Sequence, residues 1–295
     1  MVKSDTRKAI VYACDNNFVS LLGASIKSLE INSPGNLLDI YVINDGISKT
    51  NLQRLQKTIT STDINLKIIN IEDVKGAREN VPRLFGQVLP ITTFFRLFIH
   101  TFLPSETDRV LYLDCDMIVL GNIAELWEVD LKGRILAAVQ DPGIKTLGCS
   151  WGGGVKNYEE LGFKSDDKYL NAGLLLINLK EWIAEEIPRK ALEAAVKYRQ
   201  YIVYSDQYCL NAVLATRWVE LDPEWNHLVS NDVEGAKLLH YIGNKPNYTN
   251  YQYSKKYQMI FFEYLNQTPW KTSKLIGPVS RRLRLIRQFI KKIFK

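Results

Sequence analysis

Residues 110–120 read VLYLDCDMIVL, an apolar run that two carboxylates interrupt. A run of this length predicts a single strand buried in a parallel sheet. Aspartate is disfavoured in strands, and a buried carboxylate without a partner is costly. Because alternate residues of an extended chain point to the same side, Asp114 and Asp116 can share one ion. We therefore expect a divalent cation that bridges these carboxylates to phosphate oxygens. The alternative is a turn after Leu113 with both acids solvated.

Strand and helix patterns alternate on both sides of this run. Apolar segments predict strands at residues 9–14, 38–43, 66–71, 135–139 and 174–179. Helical spacing predicts helices at residues 18–30, 48–59, 92–102, 180–198 and 206–215, the fourth kinked or split at Pro188. This alternation predicts an α/β fold with a mostly parallel central sheet and helices on both faces. Ligands of such sheets bind at the carboxyl ends of the strands.

Several polar residues lie at predicted strand ends, and each has a bland interpretation beside the functional one. Asp15 and Asn17 follow the first strand and either contact a nucleotide base or cap a helix. Asp141 follows the strand at residues 135–139. The Asn171-Ala172-Gly173 segment precedes another strand and either admits a ligand or forms an ordinary turn.

Five further residues suggest charged or polar contacts. Arg96 interrupts an apolar helix, so it needs an acidic partner, which a structural ion pair would also provide. Asp206-Gln207 opens a helix and could be an N-cap. His240 follows a short apolar run, and together with the two aspartates it makes a plausible O,O,N site for Mn²⁺. Lys245 could pair with phosphate.

Composition limits the possible functions. The chain has 295 residues, enough for one large domain or one domain with an appendage. Residues 271–295 hold nine Lys/Arg and no acid, and the remaining 29 basic and 32 acidic residues leave a net charge of −3. The body therefore carries no broad basic surface for nucleic acid. The four cysteines are scattered, which predicts free thiols in a reducing compartment.

Six blocks in order resemble a known family. They are IVYACDNNF (10–18), ITTFFRL (91–97), RVLYLDCDMIV (109–119), LNAGLLLINL (170–179), SDQYCLN (205–211) and HYIGNKP (240–246). The chain resembles glycosyltransferase family 8, the retaining GT-A enzymes, and within it the bacterial lipooligosaccharide and lipopolysaccharide α-galactosyl- and glucosyltransferases. The resemblance implies a GT-A domain at residues 1–270, which transfers a hexose from a UDP-sugar with Mn²⁺ or Mg²⁺. It also implies a glycan, lipid-linked or glycoprotein acceptor.

The resemblance also implies residue roles. Metal ligands would be Asp114, Asp116 and His240. Other positions that would bind the nucleotide or the diphosphate are Ala13, Asp15, Asn17, Cys115, Gly243 and Lys245. Positions that would line the donor sugar are Arg96, Asp141, Asn171, Ala172, Gly173, Asp206 and Gln207, with Gln207 nearest to the reacting carbon.

The chain departs from the family pattern in two places. The last motif usually reads HYxGxxKPW, whereas here the spacing from Gly243 to Lys245 is one residue shorter and Asn247 replaces the tryptophan. The acceptor-facing stretch at residues 143–167 does not resemble the galactosyltransferase pattern. The acceptor should therefore not be copied from those relatives.

The segment at residues 271–295 predicts a membrane anchor. In SRRLRLIRQFIKKIFK (280–295), apolar residues recur at three-to-four spacing and basic residues surround them. A basic amphipathic helix of this kind binds anionic membrane surfaces, which predicts a cytoplasmic protein held peripherally at the inner face of the cell membrane. The alternative is a solubilising tail that folds back on the body.

Two other functions are compatible with parts of the sequence. Haloacid-dehalogenase-like phosphatases also carry a strand followed by Asp-x-Asp, although there the motif usually follows the first strand. A non-catalytic sugar-binding protein held at a membrane by its tail is the second alternative. Here about three β/α units precede the motif and Met117-Ile118 follows it, which disfavours the phosphatase. The full set of predicted metal ligands argues against the non-catalytic protein.

Overall fold

Seven strands form the central sheet of the computed structural model, which describes residues 6–81, 91–231 and 234–283. The strands of the chain are β1 (Lys8–Asp15), β2 (Leu38–Asp45), β3 (Ile64–Asn70), β4 (Arg109–Leu113), β5 (Met117–Val119), β6 (Leu136–Gln140), β7 (Leu170–Asn178), β8 (Trp218–Glu220), β9 (His227–Leu228) and β10 (Leu238–His240). The helices are α1 (Val19–Asn32), α2 (Lys49–Thr58), α3 (Leu179–Ala184), α4 (Ile187–Lys197), α5 (Ser205–Leu214) and α6 (Lys255–Leu265).

The central sheet has the order β3-β2-β1-β4-β7-β6-β8. Neighbouring strands from β3 to β4 are parallel, as are β6 and β8, whereas β7 is antiparallel to both β4 and β6. The prediction of a mostly parallel α/β sheet is therefore confirmed. The reversed strand β7 brings its first residues to the carboxyl ends of β1 and β4, where ligands of such sheets bind.

Both faces of the sheet are covered, which explains the continuous apolar strands. In β1, Val11 and Ala13 belong to the core on one face, while Ile10, Tyr12 and Cys14 belong to the core on the other. A 3-10 helix (Ile91–Thr101) lies on the first face, together with α4 and α5, and α1 and α6 lie on the second. The predicted helix at residues 92–102 is thus present but is wound more tightly than an α-helix.

The single strand predicted for residues 110–120 is wrong. β4 ends at Leu113 and β5 begins at Met117, and a turn at Cys115 and Asp116 separates them. The apolar residues on both sides of the turn are buried. Those of β4 lie in the central sheet, and those of β5 lie in a second sheet. The turn exists as in the alternative interpretation, but both carboxylates have protein partners.

A second sheet brings distant residues to this turn. Its order is β5-β10-β9, with β10 antiparallel to β5 and parallel to β9. His240 pairs with Met117, and the backbone N–H of Tyr241 donates to the Asp116 carbonyl at 3.0 Å. The last strand of the sequence therefore places its histidine beside the double-aspartate turn.

One more prediction differs in detail from the structure. The helix predicted at residues 180–198 is split into α3 and α4, and the break lies at Glu185 and Glu186, just before Pro188. Proline fits the first turn of a helix because its missing N–H needs no partner there.

Residues 276–281 pack on the body of the protein. Ile276 is buried and forms a bridge with Tyr248, and the Arg281 guanidinium lies 5.1 Å from the Tyr248 ring centre. Residues 278–283 are helical, and residues 284–295, with most of the predicted apolar stripe, lie outside the described residues. None of the helices in the described ranges has the length and apolar composition needed to cross a bilayer.

Candidate active site

Asp114 is the first of the two carboxylates after β4. Its Oδ1 accepts hydrogen bonds from Arg96 Nη2 at 2.8 Å and from the Tyr112 hydroxyl at 3.1 Å. Its backbone N–H donates to the Gly173 carbonyl at 2.8 Å, which continues the pairing of β4 with β7. Because these contacts use Oδ1, the second oxygen of a partly exposed carboxylate is available to a ligand.

Asp116 lies between a cation and a histidine. Its Oδ2 accepts a hydrogen bond from Lys245 Nζ at 2.6 Å, and its Oδ1 lies 3.4 Å from His240 Nε2. Burial alone would raise the pKa of the Asp116 carboxyl, but the Lys245 and His240 side chains lower this pKa below its ordinary value. Oδ1 is buried and accepts no hydrogen bond from any residue that the structure describes, so it lacks a partner that a cation could supply.

Asp114, Asp116 and His240 together fit a metal site. One ligand atom from each residue lies within 4.8 Å of the others. Two carboxylate oxygens and one imidazole nitrogen suit Mn²⁺, and carboxylates with water also suit Mg²⁺. The partnerless oxygen of Asp116 supports this fit, and Cys115 lies half-buried in the same turn.

Arg96 connects Asp114, in the segment after β4, to α5. It is buried, ion-paired with Asp114 at 2.8 Å and with Asp206 at 2.9 Å, and stacked 4.3 Å from the Tyr112 ring centre. Its Nη1 also donates to the Ala172 carbonyl. The carboxylates and Tyr112 raise the pKa of Arg96 above its ordinary value despite burial. The expected acidic partner is present, in the form of two carboxylates.

The N-cap interpretation of Asp206 is wrong. α5 begins at Ser205, so Asp206 is its second residue, and its carboxylate faces Arg96. Burial raises the pKa of Asp206, and the Arg96 charge offsets this only in part. An acidic side chain in the first turn is also favoured by the helix dipole.

The next residue, Gln207, joins a polar network with the start of β7. Its Oε1 accepts a hydrogen bond from the Ala172 N–H at 2.9 Å, and its Nε2 donates to Asp141 Oδ2 at 3.2 Å. Asn171 Nδ2 donates to the same oxygen at 2.8 Å. Asp141 Oδ1 accepts from the backbone of Gly143 and Ile144. Asp141 and Asn171 are buried in this network, whereas Gln207 is partly exposed.

Gly173 is required by close packing. A Cβ atom there would lie 2.7 Å from His240 Cε1 and 2.6 Å from Met117 Cε. The turn-like Asn171-Ala172-Gly173 segment is the start of β7 itself, and its small residues let the histidine ring and Arg96 approach the strand. The sequence suggested that the small residues admit a bound ligand. In the structure, the His240 ring, the predicted metal ligand, packs against Gly173 instead.

The remaining predicted residues lie at neighbouring strand and loop ends. Asp15 Oδ1 accepts hydrogen bonds from the N–H groups of Asn17 and Phe18, so Asp15 caps the turn into α1. Ala13 is buried near the carboxyl end of β1. Gly243 has a φ of +59°, and a Cβ there would lie 2.6 Å from the Tyr253 hydroxyl. Despite its shortened spacing, Lys245 reaches Asp116.

Two residues in this region are not predicted from the sequence. Asn226 is buried at the end of a 3-10 helix (Pro223–Asn226), and its amide contacts both His240 and Asn171. Tyr253 lies over Gly243. In the sequence, DPEWN resembles any polar loop, and only the pairing of β9 with β10 brings Asn226 to the site.

The stretch expected to face the acceptor presents an aromatic surface. Trp151 is exposed, its indole N–H donates to the Gly143 carbonyl at 3.1 Å, and its ring meets Tyr204 edge-on at 6.3 Å. Tyr204 immediately precedes α5, so this surface adjoins the Asp141 and Gln207 network.

Comparisons with known proteins identify the family. The family model described as Glycosyl transferase family 8 matches residues 9–247, so the chain belongs to this family. Lipopolysaccharide 1,3-galactosyltransferase of Salmonella typhimurium is 30% identical over 92% of this chain and 81% of its own length. Glycosyltransferase GlyB of Streptococcus pneumoniae is 32% identical over 81% of this chain, which spans only 57% of GlyB.

A solved structure of the galactosyltransferase LgtC, in complex with donor and acceptor sugar analogues, is similar throughout. The TM-score is 0.74 and the identity 26%, and the match covers 90% of this chain and 99% of LgtC. The chain therefore has the GT-A fold and is a glycosyltransferase. Family membership removes the phosphatase alternative.

Proposed function

We propose that this protein is a metal-dependent, retaining glycosyltransferase. It would move galactose or glucose from a UDP-sugar to a hydroxyl of a cell-envelope glycan or similar acceptor and form an α-linkage. The observation that carries the proposal is the Asp114, Asp116 and His240 cluster, with Lys245 beside it. Relatives named lipopolysaccharide 1,3-galactosyltransferase and 1,2-glucosyltransferase support the choice of hexose and of acceptor class.

The charged side of the site suits a departing UDP. Asp114, Asp116 and His240 would hold Mn²⁺ or Mg²⁺, which when bound supplies a Lewis acid for the diphosphate. Lys245 is a cation on the same side, and the left-handed backbone at Gly243 leaves space close to the chain. Fixed positive charge at the leaving group stabilises the transition state, because negative charge develops there. Ala13, Asp15 and Asn17 would contact the nucleoside at the end of β1.

The polar side of the site suits a sugar. Asp141, Asn171 and Gln207 are mutually hydrogen-bonded, so they present fixed groups to sugar hydroxyls at little cost in side-chain entropy. Arg96 and Asp206 lie behind them as an ion pair.

The contacts of Gln207 and Asp206 argue against either residue as a nucleophile. Gln207 Oε1 already accepts the Ala172 N–H, and a neutral amide is a weak nucleophile. Asp206 is paired with Arg96 and buried. We therefore favour attack of the acceptor on the face that UDP leaves, with the hydroxyl proton passing to a phosphate oxygen and no covalent intermediate.

The tail would place the enzyme at its substrate. Basic residues near anionic lipid each contribute about 1 kcal/mol to binding, and an apolar stripe adds to this. The proposal is a cytoplasmic enzyme held peripherally at the membrane, close to lipid-linked or envelope acceptors.

Turnover should depend on the two carboxylates. Asp114→Asn or Asp116→Asn should lower Mn²⁺-dependent hydrolysis of a UDP-hexose by at least ~10²-fold, because each removes charge that holds the cation. Hydrolysis needs no acceptor, so a panel of UDP-sugars with each variant is sufficient. Asp130→Asn, at an exposed loop away from the site, is the matched control. Full activity in excess chelator, or in both variants, would exclude the site.

The stereochemistry of the product tests the retaining assignment. With a UDP-α-hexose donor and any accepted glycan, proton NMR of the first-formed product should show an α-anomeric signal. A β-signal for the new glycosidic linkage would refute retention even if transfer is efficient.

The tail is tested by a truncation that leaves the body intact. Because Ile276 packs against Tyr248, the deletion should begin after Leu283. The chain without residues 284–295 should lose salt-sensitive binding to vesicles of anionic phospholipid and keep UDP-hexose hydrolysis. A full-length variant with Ile286→Ser, Phe289→Ser and Ile293→Ser keeps the charge and separates apolar insertion from electrostatic attraction. Equal vesicle binding by the truncated and complete chains would disprove the anchor.

A further inference from the structure

We propose that Asn226 is a positioning residue that fixes the tautomer of His240, and that Asp141 sets the orientation of Asn226 through Asn171. The proposal rests on the proposed function in one respect, the assignment of His240 as a metal ligand. Its observable is the protonation pattern of one imidazole ring, which can be measured without substrate or metal.

A continuous line of hydrogen bonds joins the sugar-facing network to the histidine. Asn171 Nδ2 lies 2.8 Å from Asp141 Oδ2, Asn226 Nδ2 lies 2.8 Å from Asn171 Oδ1, and His240 Nδ1 lies 2.9 Å from Asn226 Oδ1. All four side chains are buried, with exposed fractions of 6% for Asp141, 5% for Asn171, 2% for Asn226 and 7% for His240. Each link is therefore expensive to break.

The direction of every bond follows from the carboxylate at the start. A carboxylate only accepts, so the Asn171 atom beside Asp141 must be the NH₂ group, and its oxygen must face Asn226. Asn226 must then turn its own NH₂ group toward that oxygen, which leaves its carbonyl oxygen facing His240. An oxygen opposite Nδ1 requires Nδ1 to carry the proton.

Backbone donors confirm this direction independently. The Gly173 N–H donates to Asn171 Oδ1 at 2.9 Å, and a backbone N–H cannot reverse. The other neighbours of the Asp141 carboxylate are also donors, namely Gln207 Nε2 and the N–H groups of Gly143 and Ile144. The orientation of the Asn171 amide is thus fixed from two sides, and that of Asn226 follows from it.

The position of this proton determines what the other ring nitrogen, Nε2, can bind. When Nδ1 holds the proton of a neutral imidazole, Nε2 presents a lone pair, and Nε2 lies 3.4 Å from Asp116 Oδ1. Two acceptor atoms at this distance suit a shared cation, and metal-binding histidines commonly donate their other N–H to a fixed partner. The network also makes the sugar-facing residues and the metal ligand parts of one hydrogen-bonded unit.

The backbone explains how Asn226 reaches this position. It directly precedes β9, whose Leu228 pairs with His240 of β10. Only Asn and Gln carry a side-chain amide, which donates and accepts hydrogen bonds in a fixed geometry. The Gln side chain is one methylene longer than that of Asn.

The first experiment reads the tautomer directly. The chain contains three histidines, so ¹⁵N-histidine labelling gives a simple long-range ¹H–¹⁵N spectrum, assigned with His100→Gln and His227→Gln. At a pH where the same spectra show the His240 ring to be neutral, the metal-free full chain should show His240 with protonated Nδ1 and bare Nε2. Asn226→Leu should shift His240 to the Nε2–H form. A wild-type Nε2–H ring, or an unchanged ring in Asn226→Leu, would overturn the proposal.

A matched variant separates tautomer control from general packing. Asn157→Leu is this control, since Asn157 is also buried and hydrogen-bonded, to Tyr208, but lies outside the network. This control should leave the His240 tautomer unchanged. A tautomer change in Asn157→Leu would make the effect one of packing and contradict the proposal.

Metal affinity gives the second readout. Mn²⁺ titration by calorimetry should show a 10- to 100-fold weaker Kd for Asn226→Leu, the loss typical of removing a hydrogen-bond partner of a ligating histidine. The Asn157→Leu control should bind as the wild type does. Equal Kd values in Asn226→Leu and wild type would refute the positioning role. Failure of the wild-type chain to hydrolyse any UDP-hexose would instead refute the proposed function and leave the tautomer result standing.

Discussion

A buried guanidinium holds the two sides of the site together. Arg96 is ion-paired with Asp114 after β4 and with Asp206 on α5, and it also donates to the Ala172 carbonyl at the start of β7. Removing one partner of a buried ion pair costs about 3–5 kcal/mol, because the other charge remains without compensation. The strand ends and the helix that approach the site therefore have one favourable arrangement. That arrangement leaves Asp116 and His240 side by side.

The rest of the site follows from how the chain ends its strands. β4 stops at Leu113, and the turn that follows belongs to neither sheet, so its carboxylates can face a ligand instead of a core. The second sheet then brings β10 back across this turn, and Gly173 makes room for the His240 ring. His240, which we propose as a metal ligand, is joined through Asn226 and Asn171 to Asp141, which we propose to face the sugar, so a substitution at one end of this network is expected to change the other.

The sequence predicted the elements with strong periodicity and missed those fixed by tertiary contacts. β1, β2, α1 and α5 lie within a few residues of their predicted bounds because apolar spacing alone defines them. The double-aspartate segment was predicted as one strand because its apolar residues continue on both sides, although they are buried in different sheets. The ion pair of Asp206 with Arg96 was read as a helix cap, since type and position along a helix do not reveal a partner on another element. Asn226 could not be predicted, because only strand pairing brings its amide to His240.

The coordination of bound Mn²⁺ tests the proposed metal site most directly. Electron–nuclear double resonance on the full chain with ¹⁵N-labelled histidine detects nitrogen coupled to the ion. We expect one bound Mn²⁺ coupled to a single histidine nitrogen. This coupling should be lost in His240→Gln, with UDP present to retain the ion. Bound Mn²⁺ without histidine coupling, or coupling that persists in His240→Gln, would contradict the site described by Asp114, Asp116 and His240.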